Sequence, residues 1–254
     1  MKSFANLVIV FFLLNSCQQN SNYGKPISNP NLILANFNSY WNYTNKYVKL
    51  ERNFIALDEN KNVISKNAFL KEVINNNFLP LKLQPKDSNE YYLLYKMPQK
   101  TPSEITNIIK QITNNIYKNF LKEGSAMPKF NFSDIEGNSY NNENTKGKII
   151  VIKCWFIHCT KCIEEFPYLN KLVEGYEYKK DVLFLSLAID SKSKLQAFLK
   201  TKKFNYSVIA DKLDFMKDSL NVTSYPTHIL INKIGVIEKI VGNYEELIFA
   251  LTKI

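Results

Sequence analysis

Apolar positions follow two kinds of pattern along this chain, and the change falls near Gly124-Ser125-Ala126-Met127-Pro128. Ahead of that break, Ile105, Ile108, Ile109, Ile112, Ile116, Phe120 and Leu121 recur every three or four residues, one stripe of an amphipathic helix. Thr101-Pro102-Ser103-Glu104 supplies its cap and first turn, and Gly124 closes it. Upstream, 65–75 reads as a short helix with Phe69, Leu70, Val73 and Ile74 inward, while 47–57 and 90–97 read as strands. Tyr40, Trp41, Tyr43, Tyr47, Tyr91, Tyr92 and Tyr95 read as core and sheet positions, because strands favour such rings. Residues 32–124 are therefore expected to form a small α+β domain, of a size able to fold alone. No catalytic constellation stands out in it.

Past the break, strands and helices alternate. Segments 130–132 and 139–140 flank the turn Asp134-Ile135-Glu136-Gly137, a hairpin signal. The run 148–155 opens on Lys148, is otherwise apolar except for Lys153, and reads as a buried central strand. A helix is expected from Cys159 toward Tyr178, kinked at Pro167. A second buried strand follows at 182–189, then a helix at 192–202 carrying Leu195, Phe198 and Leu199. Strands at 227–231 and 236–241 surround the turn Asn232-Lys233-Ile234-Gly235. This order predicts an α/β domain over 127–254, its sheet part parallel with a final antiparallel pair.

The first seventeen residues, MKSFANLVIVFFLLNSC, place an apolar run (4–14) after one lysine. It is about half the ~20 residues of a spanning helix and suits a secretory signal. Leu14-Asn15-Ser16-Cys17 resembles a bacterial lipobox. The resemblance implies a signal segment over 1–17, lipidation of Cys17 and a polar tether over 18–31. It places the chain on the periplasmic side of the cell envelope, with Gln18 after the cysteine favouring the outer membrane. An ordinary signal peptide cleaved elsewhere is the alternative.

The chain has 254 residues, 33 Lys+Arg against 23 Asp+Glu, and a formal charge of +10. That sign invites a nucleic-acid reading, but Arg52 is the only arginine and the lysines are scattered rather than clustered. No nucleic-acid partner is expected. The 45% hydrophobic and 13% aromatic content excludes global disorder, and four cysteines are too few for a disulfide scaffold.

Their placement is more informative. Cys159-Thr160-Lys161-Cys162 sits where the buried strand gives way to a helix. A pair so spaced can close a disulfide, and the free N–H groups of a helix start stabilise a thiolate at Cys159, leaving Cys162 to resolve a mixed disulfide. A zinc site is the competing use of such a motif. It wants four ligands, for which Cys159, Cys162, Cys154, His158 and His228 are the candidates, and no second CxxC accompanies them. Cys154 reads as a small buried hydrophobe. Pro226, in Ser224-Tyr225-Pro226-Thr227-His228, stands directly ahead of a strand.

Taken together, 155–167 (Trp155 through Cys159 and Cys162 to Pro167) and 224–231 with Gly235 resemble the TlpA/ResA-like thiol–disulfide oxidoreductases of the thioredoxin superfamily. The match covers 127–254 and leaves the first half unassigned. It implies a thioredoxin-like three-layer α/β fold with a mixed central sheet, a cis bond before Pro226 that brings the loop beside Cys159, and exchange of disulfides with exported proteins. Cys159, Cys162 and Glu165 become the expected catalytic residues, and Tyr225, Pro226 and Trp155 the substrate contacts. His158 and Lys153 become possible tuning groups, with no metal and no cofactor beyond the redox-active pair. Glu165 falls on the family's buried carboxylate, whose pKa burial is expected to raise toward neutrality. Protein thiols and a membrane reductant or oxidant relay are the implied partners. Two other classes stay open: a surface lipoprotein that binds a partner without catalysis, and a thiol peroxidase on the same fold. The peroxidase wants Thr or Ser shortly before its cysteine, where Phe156, Ile157 and His158 stand.

Overall fold

The computed structural model describes residues 22–254, so the signal segment, Cys17 and the start of the tether lie outside the described residues. The first half holds β1 (Tyr23–Pro26), α1 (Pro30–Ile33), α2 (Phe37–Tyr47), β2 (Ile55–Leu57), β3 (Val63–Ile64), α3 (Lys66–Asn75), β4 (Phe78–Pro85), β5 (Tyr91–Lys96) and α4 (Ser103–Phe120). Its five strands run in the order β1-β4-β5-β2-β3. Helices α2, α3 and α4 contribute Tyr40, Tyr43, Phe69, Leu70, Ile105 and Ile109 to one apolar core against that sheet.

Several local expectations change here. Residues 23–26, assigned to a tether, pair antiparallel with β4, and the Tyr23 ring packs against Tyr91. Residue 47 ends a helix instead of starting a strand, and only 55–57 of the expected 47–57 strand pairs. The Tyr92 hydroxyl explains part of this: it donates to the Tyr47 carbonyl and accepts the Lys49 N–H, groups that a ladder would otherwise satisfy. Asn36 caps α2 through the Ser39 N–H, and Tyr43 anchors it to β4 through Pro80 O and Lys82 N–H. Pro102, with no side-chain cap, starts α4, while Thr101 donates to Pro98 O instead. Leu121 closes α4 exposed, outside the buried stripe.

The second half holds β6 (Asn131–Ser133), β7 (Ser139–Asn141), β8 (Ile149–Trp155), α5 (Thr160–Glu164), α6 (Phe166–Gly175), β9 (Val182–Ala188), α7 (Lys192–Leu199), β10 (Ser207–Ile209), β11 (Thr227–Ile231), β12 (Ile237–Val241) and α8 (Tyr244–Leu251). Strands run β10-β9-β8-β11-β12, with β10, β9 and β8 parallel and the last two pairings antiparallel. This is the thioredoxin-like α/β arrangement. Every residue of β8 is buried, as a central strand covered on both faces requires. Ile150, Ile152 and Cys154 face a core shared with Phe132 and Met216, while Ile149 and Val151 face Leu169 of α6 and Leu247 of α8. Lys153 and Trp155 follow the second set by the strand's period of two.

The halves are locked together. Arg52 donates from Nε and Nη2 to both carboxylate oxygens of Glu246 in α8, at 2.7 and 2.9 Å, and its guanidinium lies 4.0 Å from the centre of the Phe249 ring. Such a bidentate fork suits arginine, which accounts for the chain's single one. Lys239 of β12 meets Glu123 at 2.7 Å. Between them, residues 124–127 lie along the outer edge of β12, joined to it by Gly124 N–H to Ile237 O and Ile237 N–H to Ser125 O, both 2.8 Å. Among the described residues, no helix is long and apolar enough to cross a membrane.

Candidate active site

Strand β8 delivers the chain to the C-terminal end of the central strands, where Ile157 N–H donates to Asp190 Oδ2 at 2.8 Å and ties the loop to the segment just past β9. Cys159 then takes an extended backbone at the cap of α5, and its Sγ accepts the Cys162 N–H at 3.2 Å. The two cysteines form a disulfide, with Cys159 7% exposed and Cys162 fully enclosed. Cys159 is thus the less enclosed of the two. The helix breaks at Glu165, because Pro167 has no N–H to continue the ladder, and α6 begins at Phe166.

The Tyr225–Pro226 peptide is cis. Since β11 pairs with β8 in the register Thr227 to Cys154, the loop ahead of it lies beside the end of β8, next to the redox motif. Tyr225 packs on the apolar cluster containing both sulfurs, and its ring meets Phe156 edge-on at 5.5 Å. Cys159, Cys162, Glu165, Tyr225 and Pro226 thus share one region. His158 is exposed on the loop before Cys159. Trp155 does not reach a substrate: it is fully buried, ringed by Phe166, Phe198 and Phe204, because its β8 position points it under the α5–α6 junction.

Lys153 neither points at the sulfurs nor faces out. Register places it opposite His228 on the same face of the sheet, and Glu165 closes over both. Glu165 Oε2 accepts from Lys153 Nζ at 2.5 Å and from His228 Nε2 at 3.0 Å, while Oε1 accepts the Tyr244 N–H at 3.0 Å. This corrects the expected raised carboxyl. Burial does push Glu165 upward, but His228 and Lys153 together outweigh it and hold the carboxyl below its ordinary range. Burial pushes Lys153 and His228 down, and Lys153 adds repulsion at His228. The His228 ring is thus biased toward its neutral form, and its buried Nδ1 has no hydrogen-bond partner. His228 as a member of this group went unrecognised in the sequence. The signal was there: a strand with one lysine and its pairing strand with one histidine need a shared counter-ion.

Cys154 lies on the opposite face of the sheet, where burial pushes its thiol up to about 12. No three His, Cys, Asp or Glu side chains among the described residues converge as a metal would need.

The sequence profile described as the AhpC/TSA family matches residues 124–240. The chain is 30% identical over 133 residues to the thiol-disulfide oxidoreductase ResA of Geobacillus thermodenitrificans, covering 50% of this chain and 76% of that protein. It is also 30% identical over 134 residues to the thioredoxin-like protein YneN of Bacillus subtilis, covering 50% and 78%. The thioredoxin domain of a thiol-disulfide oxidoreductase from Bacteroides vulgatus superposes with a TM-score of 0.47 at 23% identity, over 52% of this chain and 96% of that one. With three quarters of ResA's length matched and a CxxC disulfide at the cap of the helix after its central strand, the chain belongs to the ResA-like thiol–disulfide oxidoreductases and is a disulfide oxidoreductase.

Proposed function

We propose that the chain exchanges disulfides with exported proteins on the periplasmic side of a bacterial envelope, held there by lipid on Cys17. The observation that carries the reading is the pair itself: Cys159, the less enclosed, at a helix start, Cys162 fully enclosed behind it, and the Tyr225–Pro226 loop alongside.

In the reducing direction, the Cys159 thiolate attacks one sulfur of a substrate disulfide. A Cys159–substrate bond forms and the other substrate sulfur leaves as thiolate. The Cys162 thiolate then attacks Cys159 Sγ, releasing the second substrate sulfur and closing the Cys159–Cys162 bond. The substrate gains two electrons and the protein loses two, which a dithiol relay at the membrane restores. The oxidising direction is the reverse. Glu165 lies one helical turn beyond Cys162, but its oxygens are taken up by Lys153, His228 and the Tyr244 N–H and its carboxyl is held below its ordinary value, so the resolving thiol gives its proton to solvent.

The test is insulin reduction by the full chain with dithiothreitol. Activity should vanish in Cys159→Ser, and Cys162→Ser should accumulate a mixed disulfide visible on a non-reducing gel. Turnover that survives Cys159→Ser would end the proposal, and peroxide consumption faster than disulfide exchange would replace it with the peroxidase reading.

A further inference from the structure

A cleft of about 920 Å³ opens between the two halves, and one of its borders is the redox motif itself. Lys161 and Glu164 of α5, Pro226 and Tyr168 of α6 form one wall, while Trp41 and Asn45 of α2 face them from the first half. We propose that this cleft is the docking groove for the polypeptide that carries the disulfide, with α2 as its second wall. The inference rests on the exchange reading above and extends it to the unassigned half of the chain.

Three observations lead to that occupant. Trp41 is 40% exposed and Tyr168 49%, so each wall leaves a large ring uncovered. Neither ring is loose: Trp41 stacks on Phe37 at 5.9 Å and Tyr168 on Tyr244 at 4.4 Å. Rigid Trp and Tyr faces lose little entropy on contact and are the commonest anchors of protein recognition. The second wall is also fixed in advance, because Arg52–Glu246 and Lys239–Glu123 clamp the halves and the 124–127 segment pairs with β12. A preformed groove avoids the ordering cost of closing around its ligand. Finally, the cleft's volume stands at the top of the range for small-molecule sites, about 300–1,000 Å³. A small disulfide needs only Cys159 and the Pro226 loop. Something that touches both rings while presenting a disulfide at Cys159 must extend along the groove, as a polypeptide segment does.

The experiment compares two substrates on the full chain reduced with dithiothreitol: insulin, and the small disulfide 5,5′-dithiobis(2-nitrobenzoate). Trp41→Ala combined with Tyr168→Ala is expected to lower kcat/KM for insulin tenfold or more, chiefly through KM, and to leave the small disulfide within about twofold. Asn45→Arg, which fills the groove from an exposed position without touching the core, should act in the same direction. As a readout separate from turnover, unfolded reduced polypeptide added to Cys159→Ser should shift the emission of Trp41, the only exposed one of two tryptophans. Unchanged insulin kinetics in Asn45→Arg, or equal losses on both substrates in it, would overturn the groove. Failure of the unmutated chain on the small disulfide would instead overturn the exchange reading beneath it.

Discussion

Replacing Lys153 by methionine removes the ammonium from a buried group and keeps most of the side-chain volume. Lys153 is fully enclosed and sits 2.5 Å from a carboxylate oxygen of Glu165, a side chain only 8% exposed. Without it, Glu165 keeps only His228 and one backbone N–H. Breaking a buried pair by deleting one partner costs about 3–5 kcal/mol, a large share of the roughly 5–15 kcal/mol that stabilises a domain. The assay is urea unfolding of the oxidised chain at pH 7 and again below pH 5. The sign follows from the carboxyl. Lys153 contributes to holding Glu165 below its ordinary value of 4.5, so that stabilisation is present above 4.5 and fades as pH falls through the folded-state value. In Lys153→Met the buried carboxyl rises, and the deficit relative to the unmutated chain should shrink on acidification. Adding Glu165→Gln removes the stranded charge while keeping both remaining donors, and should recover part of the loss. A deficit under about 1 kcal/mol at pH 7, or one independent of pH, would refute the ion pair as a stabilising group.

Two further outcomes follow from the same face and its reverse. His228 is held below its ordinary 6.5, so the unfolded chain takes up a proton there that the folded chain refuses. Stability should fall as pH drops below about 6.5, and His228→Gln should flatten that segment of a pH–denaturation profile. Cys154, with its thiol raised to about 12, should resist alkylation by iodoacetamide at pH 8 in the native chain, and Cys154→Ala should leave insulin reduction unchanged; rapid native labelling would refute its burial.

The second half was largely legible because its signals are local. A seven-residue apolar strand, a CxxC at its end and a proline ahead of a second strand each fix a short stretch of backbone, and the observed strands 149–155 and 227–231 lie within or on the expected ranges. The first half was less so. Residues 37–47 (FNSYWNYTNKY) combine rings with weak helix formers, a composition that suits strands, and they became helical through the Asn36 cap and the burial of Tyr40 and Tyr43 against the sheet. That is a tertiary override of propensity.

At the site the same division applies. Sequence alone determined which atoms can do chemistry: two sulfurs three residues apart, a carboxyl one turn on, a lysine in an apolar strand. It also determined the order of the elements that carry them. Which of these meet was decided by register and packing. Lys153 and His228 stand 75 positions apart and share one carboxylate because β8 and β11 are neighbours in one alignment, in which a slip of either strand by a single residue would put them on opposite faces. The ionisation of Glu165 was decided there too, since its burial argues one way and its two partners the other, and only their distances say which prevails. The cleft belongs wholly to the tertiary level. It exists between two separately patterned halves, and its width depends on where a lone arginine finds its glutamate.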